Sequence, residues 1–570
     1  MDEEHKRLVE ELLFSEEKAP SFAKRLYFGS FYADAVLPYP EVSPQDKNEV
    51  DEYVARVEAF ANEHINASSI DRNSNIPADV IKGLGDLGVL GMTIPKRYGG
   101  LGMSQYAYCR VCEVLARRCG ATALFVNAHQ SVGLKALLLF GNEEQKERWL
   151  PPLARGEAIA AFSLTEPNAG SDAAGIETKA EWIADKGVWR ITGRKQWTTN
   201  GSIAAMLTVM AKTKIITPDG PRDKITAFIV TPDMPGFSVT AHALEKVGMR
   251  GSKTANLAFD GVEVPKENVL GPMGGGLRVC LTVLDYGRTT FGATCTGSAY
   301  TASNLALEHA KTRYQFNKPL AAFPLVKKKI AQNAALLFAM DATTYLTASL
   351  VDKGIEDIML ESSLLKVFAS EASWKIIYES MQIFGGRSFF TDLPLERMMR
   401  DARLNMIGEG ANEVLRAFIG AVGMRDVGMD LQKAVKCLGS PIENRNILFG
   451  AFKQLLKRAS TPFVNIKAPE LQDEKNALSK AVRSFGWKVL GLLKKYREEI
   501  VDKQFELDRV ATQAIAIYTT TAALGKADKT RKPKDIALAK YYASYALELG
   551  AGSGDEATEK LSDMLTGIKQ

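Results

Sequence analysis

The spacing of hydrophobic positions changes twice along the chain and divides it into three kinds of segment. From about Asp46 to Arg155, and again from Gly276 to about Gly428, apolar residues recur at the spacing of amphipathic helices. Between about 160 and 275 they alternate in short runs separated by Gly, Pro and Asp, which is typical of strands. The pattern predicts a helical domain, a compact β domain and a second helical domain, in that order.

Further segments precede and follow these three. Residues 1–45 are predicted to form short helical pieces, residues 429–473 to be irregular and basic, and residues 474–570 to be helical. The predicted fold class is α+β and multidomain. We find no repeat of 20 to 50 residues and no GxGxxG that opens a βαβ unit. The predicted domains are an N-terminal extension (1–45), an N-terminal α domain (46–160), a middle β domain (161–275), an α bundle (276–428) and a C-terminal helical domain (429–570).

Composition narrows the functional classes. Of the 570 residues, 46% are hydrophobic and 24% charged, which is typical of globular proteins. A net charge of +5 does not indicate a nucleic-acid partner. We find no uninterrupted apolar run of the roughly 18 residues that span a bilayer, and the acid-rich N-terminus resembles neither a secretory signal nor a transit peptide.

Six cysteines fit a protein of a reducing compartment. Cys109, Cys112 and Cys119, with His129 as a fourth ligand, are one possible metal site. The segment has helical periodicity, however, and cysteines on one helix face are more often core residues. We therefore predict no metal.

Three separated segments are candidates for a cofactor site. FSLTEPNAGSD (162–172) runs from a strand into a turn rich in backbone N–H groups, and the alternative is a surface turn. In GRKQWTTNG (193–201), Trp197 can cover an aromatic ring and Thr199 can bond its edge, and the alternative is a hairpin tryptophan in a β core. The third segment runs from Gln382 through IFGGRSFF to ARLNMIGEGANEVLR and contains two glycine turns.

Glu409 lies between Gly408 and Gly410, just before a predicted helix. A carboxylate there interacts favourably with the helix N-terminus, by roughly 0.3 to 1 kcal/mol. It is also suited to be a general base on a flexible turn, partly desolvated by Met406 and Ile407. The local residues alone favour the first interpretation.

Together these segments resemble the acyl-CoA dehydrogenase family. FSLTEPNAGSD, ITGRKQWTTNG, GRTTFGAT, TRYQFNKPL, QIFGGRSF and MIGEGANEVLR stand in the order and spacing of that family, and the resemblance covers residues 45–425. It implies an FAD enzyme with an N-terminal helical domain, a middle β domain and a C-terminal four-helix bundle. SFAKRLYFGSFYADAVLPYP, AHQSVGLKALLLFG and QFELDRVATQAIAIY are similar to the very-long-chain branch, whose members extend beyond 428.

The resemblance implies the following cofactor contacts. The residues that would line the flavin are Phe162, Leu164, Thr165, Gly170, Ser171, Trp197, Thr198 and Thr199. The residues that would contact the adenosine and pyrophosphate end of FAD in a neighbouring subunit are Arg313, Gln315, Phe316, Phe323, Gln382, Phe384, Gly385 and Gly386. Ala411 and Glu413 complete the set, although the family usually has Thr at the first position and some members have Gln at the second. Contacts across subunits imply a homo-oligomer, with a dimer favoured.

The resemblance also implies the chemistry. Glu409 would remove the α-proton of a fatty acyl-CoA while the β-hydrogen leaves as hydride to flavin N5, which gives a trans-2-enoyl-CoA in the first step of β-oxidation. Hydrogen bonds from the Glu409 backbone N–H and an FAD ribityl hydroxyl would stabilise the enolate, and electrons would pass to an electron-transfer flavoprotein. The positions matched to acyl-CoA contacts are Ser171, Asp285, Arg288, Gly410 and Gly133. Small residues at Gly133 and Ala136 favour a deep pocket and a long or very long acyl chain.

Residues 445–458 form a predicted basic amphipathic helix. Lys453, Lys457 and Arg458 lie opposite an apolar face of Ile447, Leu448, Ala451, Phe452, Leu455 and Leu456. Such a helix can lie in an anionic membrane interface, and the resembling branch contacts membranes through this region. The alternative is packing within a dimer. We expect peripheral membrane contact through about 440–470, and a location in the cytoplasm or at the inner membrane of a bacterium, or at the mitochondrial inner membrane or matrix for a mature form.

Other functions on the same fold remain open at this point. An acyl-CoA oxidase would share the base and FAD but pass electrons to O2. A non-catalytic assembly protein would need neither, and a nitroalkane oxidase or monooxygenase usually places a different residue at the position of the base.

Overall fold

The computed structural model describes residues 21–217, 220–440, 442–548 and 555–568, and it divides into two compact units. Among these residues, unit 1 comprises Lys47–Gly297 and unit 2 comprises 21–46 together with 298–568. The remaining residues of the predicted N-terminal extension, 1–20, lie outside the described part of the chain.

Helices precede and follow a continuous β region. The helices before it are α1 (Phe22–Tyr27), α2 (Ala33–Val36), α3 (Pro44–His64), α4 (Ala67–Asn73), α5 (Ala78–Asp86), α6 (Gln105–Arg118), α7 (Gly120–Asn127), α8 (Lys135–Phe140) and α9 (Glu143–Ala154). The helices after it are α10 (Gly276–Thr312), α11 (Pro324–Asp352), α12 (Met359–Phe384), α13 (Pro394–Leu404), α14 (Asn412–Cys437), α15 (Arg445–Ala459), α16 (Gln472–Tyr496), α17 (Gln504–Thr530), α18 (Pro533–Ala546) and α19 (Asp555–Thr566).

The β region of unit 1 is one mixed sheet. Its strands are β1 (Ala160–Ser163), β2 (Lys179–Ile183), β3 (Val188–Thr199), β4 (Met206–Thr217), β5 (Gly220–Val230), β6 (Phe237–Ala241), β7 (Thr254–Pro265) and β8 (Val269–Leu270). The order is β6-β7-β3-β2-β4-β5-β8, and β1 pairs in parallel with β4. A separate hairpin in unit 2 consists of β9 (Tyr314–Gln315) and β10 (Lys318–Pro319).

Alternating residues of β4 reach two different cores. Met206 and Met210 belong to a cluster that also contains residues of α8, α9 and α10. Leu207 and Val209 belong to a second cluster, built from β3, β5 and β7. Because successive side chains of a strand point to opposite faces, this alternation buries both faces of the sheet and holds β1 and β3 in fixed positions.

In unit 2 the N-terminal segment packs against helices from much later in the chain. The Tyr27 hydroxyl donates to the Ile419 carbonyl at 2.8 Å, and the Ser21 hydroxyl and Ala23 N–H both donate to Glu361 Oε1, at 2.7 and 2.9 Å. Residues 21–46 are therefore part of the helical unit that follows the sheet.

The region predicted to be irregular, 429–473, is largely helical. α14 continues to Cys437, and α15 occupies 445–459. Only the linkers between these helices and before α16 are extended or turn-like among the described residues of this region.

Two apolar helical stretches meet a length and hydropathy criterion for crossing a membrane, Gly120–Phe140 and Pro324–Asp352. About 67% of each is buried within the protein. That degree of burial is typical of core helices in a globular protein, and the two stretches are weak indicators of a membrane span.

Candidate active site

The two flavin-facing segments predicted in unit 1 are neighbours in the structure. The Gln196 N–H donates to the Thr165 carbonyl at 2.9 Å, and Gln196 Nε2 donates to the Glu166 carbonyl at 3.1 Å. The hydroxyls of Ser163 and Thr198 lie 2.9 Å apart. The turn after β1 and the end of β3 therefore form one surface, although about thirty residues separate them in the chain.

A buried ion pair reinforces this junction. Lys195 Nζ donates to Glu166 Oε1 at 2.6 Å and to the Leu164 carbonyl at 2.9 Å. The Glu166 carboxylate also accepts hydrogen bonds from the backbone N–H groups of Glu177 and Thr178. Burial acts to raise the pKa of Glu166, but the charge of Lys195 and these hydrogen bonds outweigh burial and hold that pKa below its usual value. Glu166 is therefore an ionised structural anchor.

Trp197 lies at a bulge in β3. Between Lys195 and Thr198 the pairing with β7 contains one extra residue on β3. Trp197 takes a φ of +58°, a conformation that L-residues seldom adopt, and 62% of the side chain is exposed. The bulge presents a large aromatic surface outside the sheet, as a residue that covers a flavin requires.

The other predicted flavin-lining residues of unit 1 differ in exposure. Thr198 is buried, and its hydroxyl lies 2.9 Å from that of Ser163 inside the sheet, so a cofactor contact at this position stays a prediction. The remaining members are partly or fully exposed: Phe162, Leu164, Thr165, Gly170, Ser171 and Thr199.

Of the predicted substrate residues of unit 1, Ser171 is exposed, whereas Gly133, Asp285 and Arg288 are buried. Arg288 and Asp285 form an ion pair on α10, with Nη1 and Oδ1 3.3 Å apart. Gly133 ends a π-helical turn that spans Ala128–Gly133. A β-carbon on Gly133 would lie 2.8 Å from the carbonyl oxygens of Ala128 and Ala160. Packing against β1 thus requires glycine here, and the role of Gly133 in an acyl pocket stays a prediction.

In unit 2 the hairpin and the glycine turn predicted to contact FAD come together. Arg313, Gln315 and Phe316 are exposed on or beside β9. One turn before Arg313, the His309 ring stacks on Phe384 with centroids 4.1 Å apart. This contact places the start of the hairpin beside the end of α12.

The glycine turn after α12 is open. Gly385 has φ +62° and ψ −146°, a conformation accessible essentially to glycine alone. No described atom would lie within 4 Å of a β-carbon on Gly385 or Gly386. Gln382 is exposed beside the turn, and Phe323 contacts Phe316 edge-on at 6.1 Å.

The turn that carries Glu409 has an unusual backbone. Glu409 is half-buried, with φ +57°, and Gly410 has φ +102°. The Asn412 N–H donates to the Met406 carbonyl at 3.0 Å and closes the turn. Ala411 is the N-cap of α14, and Glu413 is exposed in its first turn, where a carboxylate interacts favourably with the helix dipole.

Cys109, Cys112, Cys119 and His129, considered above as a possible metal site, do not form a ligand group in the structure. Among the described residues no group of three or more His, Cys, Asp or Glu side chains can hold a metal ion. His129 Nε2 lies 3.1 and 3.2 Å from the Leu90 and Leu153 carbonyls, and Nδ1 accepts from the Ala160 N–H at 3.0 Å. Burial lowers the pKa of His129 to about 4, so it stays neutral and serves the packing of β1.

Sequence reasoning missed Glu166, Lys195, His309 and Lys366. One signal was available: Lys195 interrupts the alternation of β3 at an inward-facing position, which requires a buried partner. Lys366 likewise lies in an apolar stretch of α12. The partners of both are set by tertiary contacts.

Comparison with known proteins agrees with this geometry. Models of the N-terminal, middle and C-terminal domains of acyl-CoA dehydrogenase match residues 47–157, 161–262 and 274–424, and the ACAD9/ACADV C-terminal domain matches 469–567. Very long-chain specific acyl-CoA dehydrogenase of Macaca fascicularis is 36% identical over 90% of this chain and 79% of its own length. Probable acyl-CoA dehydrogenase FadE10 of Mycobacterium bovis is 37% identical over 73% of this chain and 65% of its own.

Comparison with solved structures also finds an acyl-CoA dehydrogenase similar to this chain. An acyl-CoA dehydrogenase from Bacillus anthracis complexed with FAD has a TM-score of 0.76 at 27% identity, covering 98% of this chain and 92% of the other. A chain from the structure of the electron transferring flavoprotein of Acidaminococcus fermentans has a TM-score of 0.62 at 31% identity, covering 67% and 98%. The chain therefore belongs to the acyl-CoA dehydrogenase family and carries the additional C-terminal domain of its ACAD9/ACADV members.

Proposed function

We propose that this chain is an FAD-dependent dehydrogenase that converts long and very long fatty acyl-CoA to trans-2-enoyl-CoA, with Glu409 as the base and an electron-transfer flavoprotein as the acceptor. The observation that carries the proposal is the Glu409 turn. A half-buried carboxylate in a left-handed conformation, followed by Gly410 and the N-terminus of α14, is held in a rarely populated geometry. Such geometry persists where the surrounding structure fixes it and is frequent at active sites.

The residues present fit an FAD. In unit 1, Trp197 offers an exposed aromatic face, and Thr165, Ser171 and Thr199 offer at least partly exposed hydroxyls on segments tied together by hydrogen bonds. In unit 2 the open turn at Gly385–Gly386 can receive a pyrophosphate on backbone N–H groups, with Arg313 supplying charge. The same residues would hold the cofactor in an oligomer in which each site draws on two subunits.

The chain's own groups have distinct tasks in this reaction. Glu409 takes the α-proton of the thioester, and the Glu409 backbone N–H donates to the thioester oxygen as negative charge develops there. Trp197 covers the reacting region and excludes water from it. Bound FAD supplies the acceptor for the hydride that leaves the β-carbon.

The test is a series of medium-chain to very-long-chain acyl-CoA substrates on purified flavin-loaded protein with an artificial acceptor. Glu409→Gln should lower kcat by about 10³-fold or more, within the range of general base catalysis, while flavin content is retained. Glu556→Gln is the matched control because that glutamate is exposed on α19 and pairs with Lys560. Wild-type turnover by Glu409→Gln would disprove the assignment of the base.

Electron-transfer flavoprotein as the acceptor is tested in the same assay. Reduction of added electron-transfer flavoprotein should match substrate turnover, while hydrogen peroxide stays at background. Peroxide release at the turnover rate would instead identify an oxidase.

We also propose that α15 and its flanks bind the surface of an anionic membrane. Phe449, Phe452, Leu455 and Leu456 are 42 to 68% exposed, and Ile442 and Phe463 beside the helix are exposed at 87 and 75%. Ile447 and Leu448 of the predicted apolar face are half-buried. Arg458, predicted to lie on the solvated face, is buried, and its Nε donates to the Phe28 carbonyl at 3.1 Å. Lys453 and Lys457 remain exposed to meet anionic headgroups.

Binding to vesicles with anionic phospholipid tests this surface. The double variant Phe449→Ser/Phe452→Ser should bind at least about tenfold more weakly, because each phenylalanine contributes roughly 2 kcal/mol when fully buried. Phe505→Ser is the control, since Phe505 is 85% exposed on α17, away from α15 in sequence. The proposal would be contradicted if Phe505→Ser lost as much vesicle binding as the double variant, or if the double variant lost none.

A further inference from the structure

A buried lysine supports the turn that carries Glu409. Lys366 lies in the middle of α12 and has no exposed surface. Its Nζ donates to the Gly410 carbonyl at 2.6 Å and to Asn412 Oδ1 at 2.9 Å. Removing an ammonium group from water is unfavourable unless hydrogen bonds compensate, so these bonds fix the position of the lysine relative to Gly410 and Asn412.

Asn412 extends this contact into a network. Its Nδ2 donates to Ser370 Oγ at 3.0 Å and to Glu371 Oε1 at 3.2 Å. Arg416 Nη2 also donates to Glu371, at 2.8 Å, and its Nη1 donates to Asp508 at 3.1 Å. The amide orientation of Asn412 is thereby determined, since the oxygen must face Lys366 and the nitrogen must face Ser370 and Glu371.

Both Gly410 and Asn412, which accept hydrogen bonds from Lys366, lie just after Glu409. Gly410 supplies the flexible torsions between Glu409 and α14, and its φ of +102° is open to few other residues. Because Lys366 binds both the Gly410 carbonyl and the Asn412 side chain at the start of α14, the segment between Glu409 and α14 is restricted to one orientation. A displacement of about 1 Å at a catalytic group can lower the rate about 100-fold.

We propose that Lys366 is a positioning residue that acts through the Gly410 carbonyl and Asn412 to hold Glu409 in its reactive orientation. The inference rests on the proposed role of Glu409 as the base. It assigns Lys366 no contact with substrate or FAD.

The experiment uses the flavin-loaded full chain. Lys366→Met should lower kcat about 10- to 100-fold, while KM for acyl-CoA and flavin content stay within about threefold of the wild type. In Lys366→Ala, added ethylammonium or propylammonium should restore part of the lost kcat in a saturable way. Asn412→Ala should reproduce a smaller fall in kcat with the same unchanged KM, and provides a second route if the lysine variants do not fold.

Lys327→Met is the matched control. Lys327 is also a buried lysine of unit 2, on α11, and it pairs with Asp563 at 2.5 Å. Its removal should leave kcat per bound flavin within about twofold of the wild type, as expected of a lysine with a purely structural role.

Several outcomes overturn the proposal. The first is wild-type kcat in folded Lys366→Met or Asn412→Ala, and the second is the absence of amine rescue in Lys366→Ala. The third is a fall in the activity of Lys366→Met that is fully explained by loss of flavin, so that kcat per bound flavin is unchanged. Glu409→Gln separates the two levels of inference: an inactive Glu409→Gln beside a fully active Lys366→Met removes only the role of Lys366. Full activity of Glu409→Gln removes the proposed base itself.

Discussion

Lys195 and Glu166 form an ion pair 2.6 Å long, with side chains 0 and 3% exposed, between the strand that carries Trp197 and the turn after β1. Each residue belongs to a different one of the segments that the sequence marks as flavin-facing. The pair therefore couples the placement of the aromatic face to the placement of the hydroxyl-bearing turn.

Removing one member of this pair should destabilise unit 1. Lys195→Met leaves the Glu166 carboxylate buried without its cation, and such a loss typically costs about 3 to 5 kcal/mol. The double variant Lys195→Met/Glu166→Gln should cost less, because no uncompensated charge remains. Urea unfolding followed by tryptophan fluorescence measures both. Equal stability of Lys195→Met and the wild type would contradict a structural role for the pair.

The pair also gives unit 1 a dependence on acidic pH. The pKa of Glu166 is lower in the folded protein than in the unfolded chain. Its stabilising contribution is therefore present above the unfolded pKa of about 4.5 and is lost as pH falls through the folded pKa. In Glu166→Gln, the free energy of unfolding should fall less steeply at acidic pH than in the wild type. An unchanged acidic fall would show that other groups cause it.

Glu361 should give unit 2 the opposite dependence. Burial, with a smaller contribution from Asp357, raises the pKa of Glu361 to about 7 against the hydrogen bonds from Ala23 and Ser21. The folded state thus binds the proton more tightly than the unfolded chain. Stability from this group is complete below pH about 4.5, falls as pH rises towards 7, and is about 3 kcal/mol lower above that.

Glu361→Gln keeps an acceptor for Ser21 and Ala23 without the titrating charge. We expect the variant to be more stable than the wild type at pH 8 and nearly equal at pH 5, as measured by urea midpoints. Glu356→Gln, at an exposed position five residues earlier, is the control and should keep the wild-type pH dependence. A wild-type slope in Glu361→Gln would show that another group titrates.

Gly133→Ala should act on stability before it acts on chain-length preference. The added β-carbon would lie 2.8 Å from backbone atoms of Ala128 and Ala160. Because these atoms belong to the backbone, the clash can be relieved only if the backbone itself shifts. Overpacking of this kind costs about 1 to 3 kcal/mol. Gly491→Ala, in helix α16 with open space at that point, should be neutral or slightly stabilising. A stable Gly133→Ala with activity shifted to shorter acyl chains would instead place the glycine at an acyl pocket.

Trp197→Gly should separate folding from cofactor binding. Glycine adopts the φ of +58° without strain, which stabilises the folded protein by roughly 1 kcal/mol. The greater flexibility of glycine in the unfolded chain lowers the stability by about the same amount. We therefore expect nearly unchanged stability of the apoprotein and flavin affinity lowered about tenfold or more, measured by fluorescence titration. Trp182→Ala, 44% exposed on β2, should leave flavin affinity unchanged.

Much of the fold follows from local patterns. The short alternating runs between about 160 and 275 predict a β domain, and the structure has one sheet there with a separate core on each face. The helical periodicity of 46–155 and 276–428 also corresponds to observed helices, since burial of an apolar stripe needs only the correct spacing. Glycines and buried cations are harder to interpret from sequence, because their roles depend on neighbours remote in the chain. Gly133 packs on β1, and Arg458 donates to the Phe28 carbonyl 430 residues away.

The sequence by itself determined the family, the order of the helical and β segments and the identity of Glu409 as the candidate base, because these depend on residue type and spacing along the chain. Tertiary structure alone decided that Lys195 joins the two flavin-facing segments, that Lys366 holds the turn after Glu409, and that Thr198 faces the sheet interior. A buried charge or hydroxyl acquires its function from the partner that satisfies it. That partner is brought close only when the chain folds.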